Sequence, residues 1–131
     1  MATRERPLSP HLQVYRWQIQ MATSILHRAT GILLSVGALI IAGGLLALMM
    51  GPESWNCFTG HAGAWYGMLF LFAWTWAFAY HLCNGIRHVV QDFAIGFSIA
   101  AFVRSSWMSV IASLVITALV WAYVLLVGGA A

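Results

Sequence analysis

The segment AYHLCNGIRHVVQDF (residues 79–93) contains polar residues at the spacing of one face of a helix. At about 100° per residue, His81, Gly85, His88 and Asp92 lie within about 40° of one another around a helix. The sequence before this segment is apolar enough for a membrane helix, and ionisable groups inside such a helix cost about 3 kcal/mol each. We therefore expect this face to meet protein, water or a cofactor.

A second polar segment, SILHRATG (residues 24–31), repeats this pattern. Ser24, Arg28 and Gly31 fall on one helical stripe, with His27 about 60° to its side. If the two helices are antiparallel neighbours, the two polar stripes lie at a similar depth, near one edge of the membrane. We expect the two stripes to face each other.

Two histidines seven residues apart, with a glycine between them, favour a flat prosthetic group lying against the helix. Haem fits this pattern best, because an imidazole ligates iron and a glycine leaves room for the porphyrin. His81 and His88 lie on the same side of one helix, about 10 Å apart along its axis. They cannot bind opposite faces of one iron, so helix residues 79–93 alone cannot supply both axial ligands.

Two arrangements of a haem remain open. In the first, His81 ligates the iron and a partner polypeptide supplies the second histidine, which leaves His27, Arg28 and His88 beside the propionates. In the second, His27 and His88 clamp the haem within this chain, and His81 has no role. We prefer the first arrangement, because ionisable residues deep in a bilayer are rare and usually functional.

Ser24 and Arg28 lie about one turn apart at the membrane edge, and they suit a second ligand. A quinone is apolar, but its two carbonyl oxygens gain negative charge when it is reduced. A hydroxyl and a guanidinium can bind one of these oxygens and stabilise that charge. We expect both residues to bind quinone, whereas Ser24 without Arg28 would be interpreted as a helix-start hydroxyl that bonds a backbone group.

The composition is that of a membrane protein. Of the 131 residues, 62% are hydrophobic and 7% are charged, far fewer charges than a water-soluble domain needs to cover its surface. Three long windows without charge each exceed the roughly 20 residues that cross a bilayer. We predict one domain over residues 1–131, an all-α membrane protein with three transmembrane helices. The predicted helices lie near residues 24–50, 63–92 and 105–128.

Arginines set the predicted orientation of these helices. Four arginines lie at or before the start of the first helix and two more bracket the 93–104 loop, whereas the 51–62 loop has no Lys or Arg. The positive-inside rule puts an extended N-terminal arm over residues 1–22 in the cytoplasm and the C-terminus in the periplasm. The start of the chain resembles neither a signal peptide nor an organellar presequence, which favours a bacterial inner membrane over the mitochondrial one.

Three segments carry a family resemblance. RPLSPHLQVYR, SILHRATG and HLCNGIRHVVQDF occur in that order over roughly residues 6–93. Together they resemble the cytochrome b large membrane-anchor subunit of succinate dehydrogenase, respiratory complex II. The third predicted helix contributes only a compatible hydrophobic span.

This resemblance implies the cofactors, the partners and a role for the chain. Such a subunit packs with a second, smaller three-helix anchor subunit, and the two share one haem b. It docks an iron–sulfur subunit and a flavoprotein subunit, and electrons from succinate oxidation pass to ubiquinone beside the membrane. The partners are these subunits and membrane lipid, with no nucleic acid. The chain alone is then not an enzyme but one subunit of succinate dehydrogenase.

The resemblance also assigns residues. The axial histidine of the family matches His81, with the second iron ligand coming from the partner subunit. The serine and arginine of the family's quinone site match Ser24 and Arg28. His27 and Arg28 match positions near the haem propionates, and His88 matches a second histidine on the same side. Two rival functions are a haem-free structural anchor of a related fumarate reductase or succinate dehydrogenase complex and, less well supported, a solute or proton carrier.

Overall fold

The computed structural model describes His11 and residues 14–128, and these residues form four α-helices. The helices are α1 (Ile19–Met49), α2 (Pro52–Gly63), α3 (Trp65–Asp92) and α4 (Ile99–Gly128). The all-α prediction is confirmed for this part of the chain. The greater part of the arm expected over residues 1–22 lies outside the described residues.

Helices α1 and α4 each begin more than one turn before their predicted starts, at Ile19 and Ile99. The prediction placed these starts at the edges of charge-free windows, but a charged residue such as Arg104 does not interrupt a helix. A capping residue marks the start of α4 instead. The Oγ atom of Ser98 accepts a hydrogen bond from the backbone N–H of Ala101 at 3.3 Å.

The prediction of a loop over residues 51–62 is wrong, because nearly all of this segment forms α2. Pro52 occupies the first turn, where a missing N–H is tolerated, and Glu53 lies in the same turn, where negative charge is favourable. Gly51, with φ of 111°, takes the left-handed conformation that connects α1 to α2. With 12 residues, α2 is too short to cross a bilayer.

Helices α1 and α4 are long and apolar enough to cross a membrane. Helix α3 has 28 residues, which is sufficient length, but its tryptophan, tyrosine and histidine side chains make it less apolar. The third predicted span therefore stays a prediction for α3. The presence of two helices that could span a membrane agrees with the membrane protein predicted from the amino-acid composition.

Helices α1 and α3 each contact all three other helices, and the contact between α3 and α4 is the most extensive. The faces that meet are small or polar, and the large apolar side chains point outward. On α4, four hydroxyl residues form one buried stripe, and each hydroxyl donates to a carbonyl of its own helix. This stripe consists of Ser106, Ser109, Ser113 and Thr117. Small inward residues that allow close backbone approach are typical of helices packed within a membrane.

Candidate haem and quinone site

Helices α1 and α3 bring the three predicted histidines together. The imidazole rings of His27 and His81 stack, with centroids 3.9 Å apart and an angle of 9° between their planes. The ring of His88 lies 5.4 Å from that of His27, tilted by 54°. The two helices are antiparallel, since Thr23 contacts Tyr80 while Gly37 meets Trp74 further along. The expectation that the two polar segments lie at similar depth is confirmed.

Hydrogen bonds define which nitrogen of His81 is protonated. Its Nδ1 lies 3.1 Å from the carbonyl oxygen of His27 and 3.3 Å from Oγ1 of Thr30. A carbonyl oxygen only accepts, so the hydrogen-bond network places the proton on Nδ1. The Nε2 atom of this tautomer carries a lone pair, which is the form of histidine that binds metals.

Glycines line the contact between the two helices. A Cβ at Gly31 would lie 3.1 Å from Cε1 of His81, and a Cβ at Gly85 would lie 3.9 Å from Cε1 of His27. The sequence prediction reserved the Gly85 side of α3 for a porphyrin. In the structure the imidazole of His81 closely approaches Gly31, whereas the ring of His27 is only at ordinary contact distance from a Cβ at Gly85.

The polar stripe of α1 is rotated from the predicted one. Thr23 and Thr30 are buried on the face toward α3, whereas Arg28 is exposed and Ser24 is half-buried. Of the predicted stripe, Gly31 faces α3 directly, and His27 replaces Arg28 at the contact. The expectation that Arg28 faces α3 is therefore wrong. The residues that contact α3 are small, as Thr30 and Gly31 are, or planar, as the ring of His27 is.

Sequence reasoning gave no hydrogen-bonding role to two side chains that the structure buries. Tyr80 is fully buried, and its hydroxyl donates to the carbonyl oxygen of Thr23 at 3.0 Å, joining α3 to α1. Arg87, used above only to orient the chain, is buried against α4, where its Nε donates to Oγ of Ser105 at 3.0 Å. Its guanidinium carbon also lies 4.4 Å from the centre of the Phe102 ring, a cation–π distance.

Thr30 was also missed, although its position offered a signal. It follows His27 by three residues, so the two share one side of α1 and both reach α3. A hydroxyl that hydrogen-bonds to a candidate ligand is a common means of orienting that ligand.

The histidine cluster fits a haem ligated by one residue of this chain. The Nε2 lone pair of His81 is suited to iron, while Nδ1 of His27 is buried without a hydrogen-bond partner among the described residues and can serve a carboxylate. Stacked imidazoles direct their lone pairs within parallel planes, so His27 and His81 do not converge on one metal. With His81 as one ligand, a second axial ligand would therefore come from a residue other than His27.

These features define a helical membrane protein with a histidine site between two of its helices. Residues 2–120 match the family described as succinate dehydrogenase/fumarate reductase transmembrane subunit. The chain belongs to this family of membrane subunits. The match runs past residue 93, where the resemblance of the three segments ended, and includes most of α4.

Individual relatives agree with this membership. The chain is 39% identical over 117 residues to the succinate dehydrogenase cytochrome b556 subunit of Rickettsia felis, covering 89% of this chain and 91% of the relative. It is 38% identical to the cytochrome b556 subunit of Paracoccus denitrificans, covering 87% and 88%. The mitochondrial cytochrome b560 subunit of Bos taurus is 38% identical, covering 89% of this chain and 68% of the relative. The family resemblance drawn from the sequence is confirmed.

Proposed function

We propose that this membrane-anchor cytochrome b subunit of succinate dehydrogenase binds one haem b and helps to form a ubiquinone site at the cytoplasmic edge of the bacterial inner membrane. The observation that carries this proposal is the hydrogen bond between Nδ1 of His81 and the His27 carbonyl, 3.1 Å long. It leaves Nε2 as the ligating atom of a histidine inside a membrane helix. Relatives named cytochrome b subunits support the choice of haem b.

In this proposal His81 is one axial ligand of the haem iron, and the second ligand comes from a smaller anchor subunit that shares the haem. A haem b, when bound, takes up and releases one electron. His27, Arg28 and His88 hold the propionates by charge and hydrogen bonds. The buried, unpaired Nδ1 of His27 and the exposed guanidinium of Arg28 support these roles.

Ser24 and Arg28 form this chain's share of the quinone site. Arg28 is exposed on the outside of α1, so its guanidinium is accessible to a ligand held between this chain and another subunit. The hydroxyl of Ser24 lies about one helical turn away and can donate to the same quinone oxygen. Both groups stabilise the negative charge that develops on that oxygen during reduction.

The assembly follows from the faces that this chain leaves uncovered. Large apolar side chains point outward from α1, α3 and α4, as lipid or neighbouring membrane helices require. We propose that these three helices span the membrane, with the N-terminal end cytoplasmic and the C-terminus periplasmic. A second small anchor packs beside them, while the iron–sulfur and flavoprotein subunits dock on the cytoplasmic side.

The quinone role is tested with the variants Ser24→Ala and Arg28→Leu in the assembled complex. Each removes a hydrogen bond to an oxygen that becomes charged, so succinate-driven ubiquinone reduction should fall about 10-fold or more. Reduction of an artificial dye by the soluble subunits should continue unchanged. The matched control is Ser35→Ala on the same helix, an exposed serine whose hydroxyl bonds the Gly31 carbonyl. Unchanged quinone rates in both variants would remove Ser24 and Arg28 from the site.

A further inference from the structure

We propose that Thr30 is a positioning residue of the haem ligand: its hydroxyl accepts a hydrogen bond from Nδ1–H of His81, helps to orient the imidazole and so lowers the reduction potential of the haem. This inference rests on the proposed role of His81 as an iron ligand. It concerns a different atom, Nδ1, on the side of the imidazole away from the ligating nitrogen.

The hydroxyl of Thr30 is directed by its own helix. Thr30 is 3% exposed, and its Oγ1 lies 2.8 Å from the carbonyl oxygen of Leu26 and 3.0 Å from that of His27. Both of these atoms only accept, so the hydroxyl proton is directed toward α1. The lone pairs of Oγ1 are then free to accept the N–H of His81, 3.3 Å away.

The ring of His81 is held from several sides. The carbonyl oxygen of His27 is a second acceptor for Nδ1–H at 3.1 Å, and the ring of His27 stacks on one face of His81. Gly31 allows close approach at Cε1, where an added Cβ would lie 3.1 Å away. Of the two acceptors near Nδ1–H, Thr30 is the side-chain one, so it can be removed by substitution while the backbone acceptor stays.

A hydrogen bond that Nδ1–H donates makes the imidazole a stronger electron donor through Nε2. Greater donation stabilises the ferric state over the ferrous state, and outer hydrogen bonds are an established means of tuning a haem. With valine at position 30, the His27 carbonyl is the one acceptor left for Nδ1–H. His81 then donates less electron density to the iron but remains its ligand. The reduction potential of the haem should therefore rise while the haem stays bound.

The test compares Thr30→Val, which keeps the branched shape and removes the hydroxyl, with Thr30→Ser, which keeps the hydroxyl. Both are assembled into the complete complex, and the b-type bands are titrated against potential. In Thr30→Val the ferrous-to-ferric ratio at a fixed potential should rise threefold to tenfold, where tenfold is 59 mV for one electron. The low-spin ferric EPR signal should also move. Thr30→Ser should match the unmodified complex in both measurements.

Thr75→Val is the matched control. The hydroxyl of Thr75 donates to the carbonyl of Leu71 at 2.7 Å in α3 and forms no hydrogen bond with a histidine among the described residues. The same chemical change there should leave potential and EPR signal unmoved. If Thr30→Val does not assemble, Thr30→Ala removes the same hydroxyl with a smaller side chain and should give the same rise.

A potential and EPR signal identical to those of the unmodified complex in the Thr30 variants would overturn the inference. A His81→Leu complex separates this failure from failure of the proposed function. If His81→Leu loses the b-type bands while Thr30→Val leaves the potential unchanged, Thr30 has no positioning role but His81 stays a ligand. If His81→Leu keeps the bands, the ligand assignment fails, and the Thr30 inference fails with it.

Discussion

The partners of Nδ1 distinguish His81 from the other two histidines of the cluster. His81 donates from Nδ1 to a backbone carbonyl, whereas Nδ1 of His27 is buried with no partner among the described residues and His88 is exposed. A fixed Nδ1–H orients an imidazole for metal binding, and an unpaired nitrogen suits a polar group of a ligand. In the proposed site, one small cluster thus supplies both the iron ligand and a neighbouring hydrogen-bonding residue.

Tyr80 provides a prediction at the residue scale. Tyr80→Phe removes the hydroxyl that donates to the Thr23 carbonyl at 3.0 Å, so the complex should lose about 1 kcal/mol of stability. Thermal unfolding of the purified complex measures the loss. The control is Tyr123→Phe, at a tyrosine that is 68% exposed, which should be within about 0.5 kcal/mol of neutral. Equal stability of both variants would show that the Tyr80 hydroxyl contributes nothing.

The sequence predicted which residues form the histidine cluster better than it predicted which side chains contact one another. His27, His81 and His88 were selected because ionisable groups are rare in apolar segments, and they do lie together. Arg28 was expected on the same face and is exposed instead. Helical spacing gives angles within one helix, but it does not give the rotation of that helix against its neighbour, which the packing of Thr23, Thr30 and Gly37 determines.

At the scale of the helices, α1 and α3 approach closely where α1 has no side chain. A Cβ at Gly37 would overlap the indole of Trp74, which occupies the space beside the glycine. A Cβ at Gly44 would likewise lie too close to the ring of Phe58 in α2. The close contact between Gly37 and Trp74 therefore helps to hold the register of α1 against α3, and with it the level at which the histidines meet.

Gly37→Ala tests this packing. The added methyl group would displace Trp74 or separate α1 from α3, so the complex should be destabilised by about 1–3 kcal/mol. Gly43→Ala on the same helix is the control, since a Cβ there meets nothing within 4 Å. That variant should be neutral or slightly stabilised, because alanine favours helix over glycine by about 1 kcal/mol. A Gly37→Ala complex as stable as the Gly43→Ala complex would contradict the close packing.

The sequence predicted the three long helices but neither α2 nor the starts of α1 and α4. Charge-free windows indicate where hydrocarbon can surround a helix, and that is a different property from helicity. The Pro-Glu pair that opens α2 and the Ser98 cap of α4 are local signals that an analysis based on hydropathy overlooks. The antiparallel pairing of α1 and α3 could be predicted, because consecutive spans joined on one side of a membrane run in opposite directions.

For the molecule as a whole, apolar side chains lie outside and hydroxyl or small residues inside. Among the large apolar side chains, Ile99 is 83% exposed and Met49 is 82% exposed, while Ser106, Ser113 and Asn84 are at 0%. A water-soluble bundle has the reverse distribution. Lipid or neighbouring membrane helices must therefore cover this surface, which agrees with membership in a family of membrane subunits.

The proposed orientation is tested with reporter fusions. Alkaline phosphatase, which is active only in the periplasm, should be active when joined after residue 128 or within α2, and inactive when joined between residues 94 and 98. A fluorescent protein that matures only in the cytoplasm should give the opposite pattern. The physical reason is the arginine distribution, since the segment between α1 and α3 contains no Lys or Arg. The reverse pattern would show that the N-terminal end lies outside.

The assignment of His81 as the axial ligand is the central claim, and a paired optical measurement tests it most directly. Reduced-minus-oxidised spectra are recorded on complexes carrying His81→Leu or His88→Leu, with dye reduction confirming that the soluble subunits are intact. The proposed site predicts that the b-type bands are lost in His81→Leu and retained in His88→Leu. Bands that survive in His81→Leu and vanish in His88→Leu would contradict it, and would place the haem between His27 and His88.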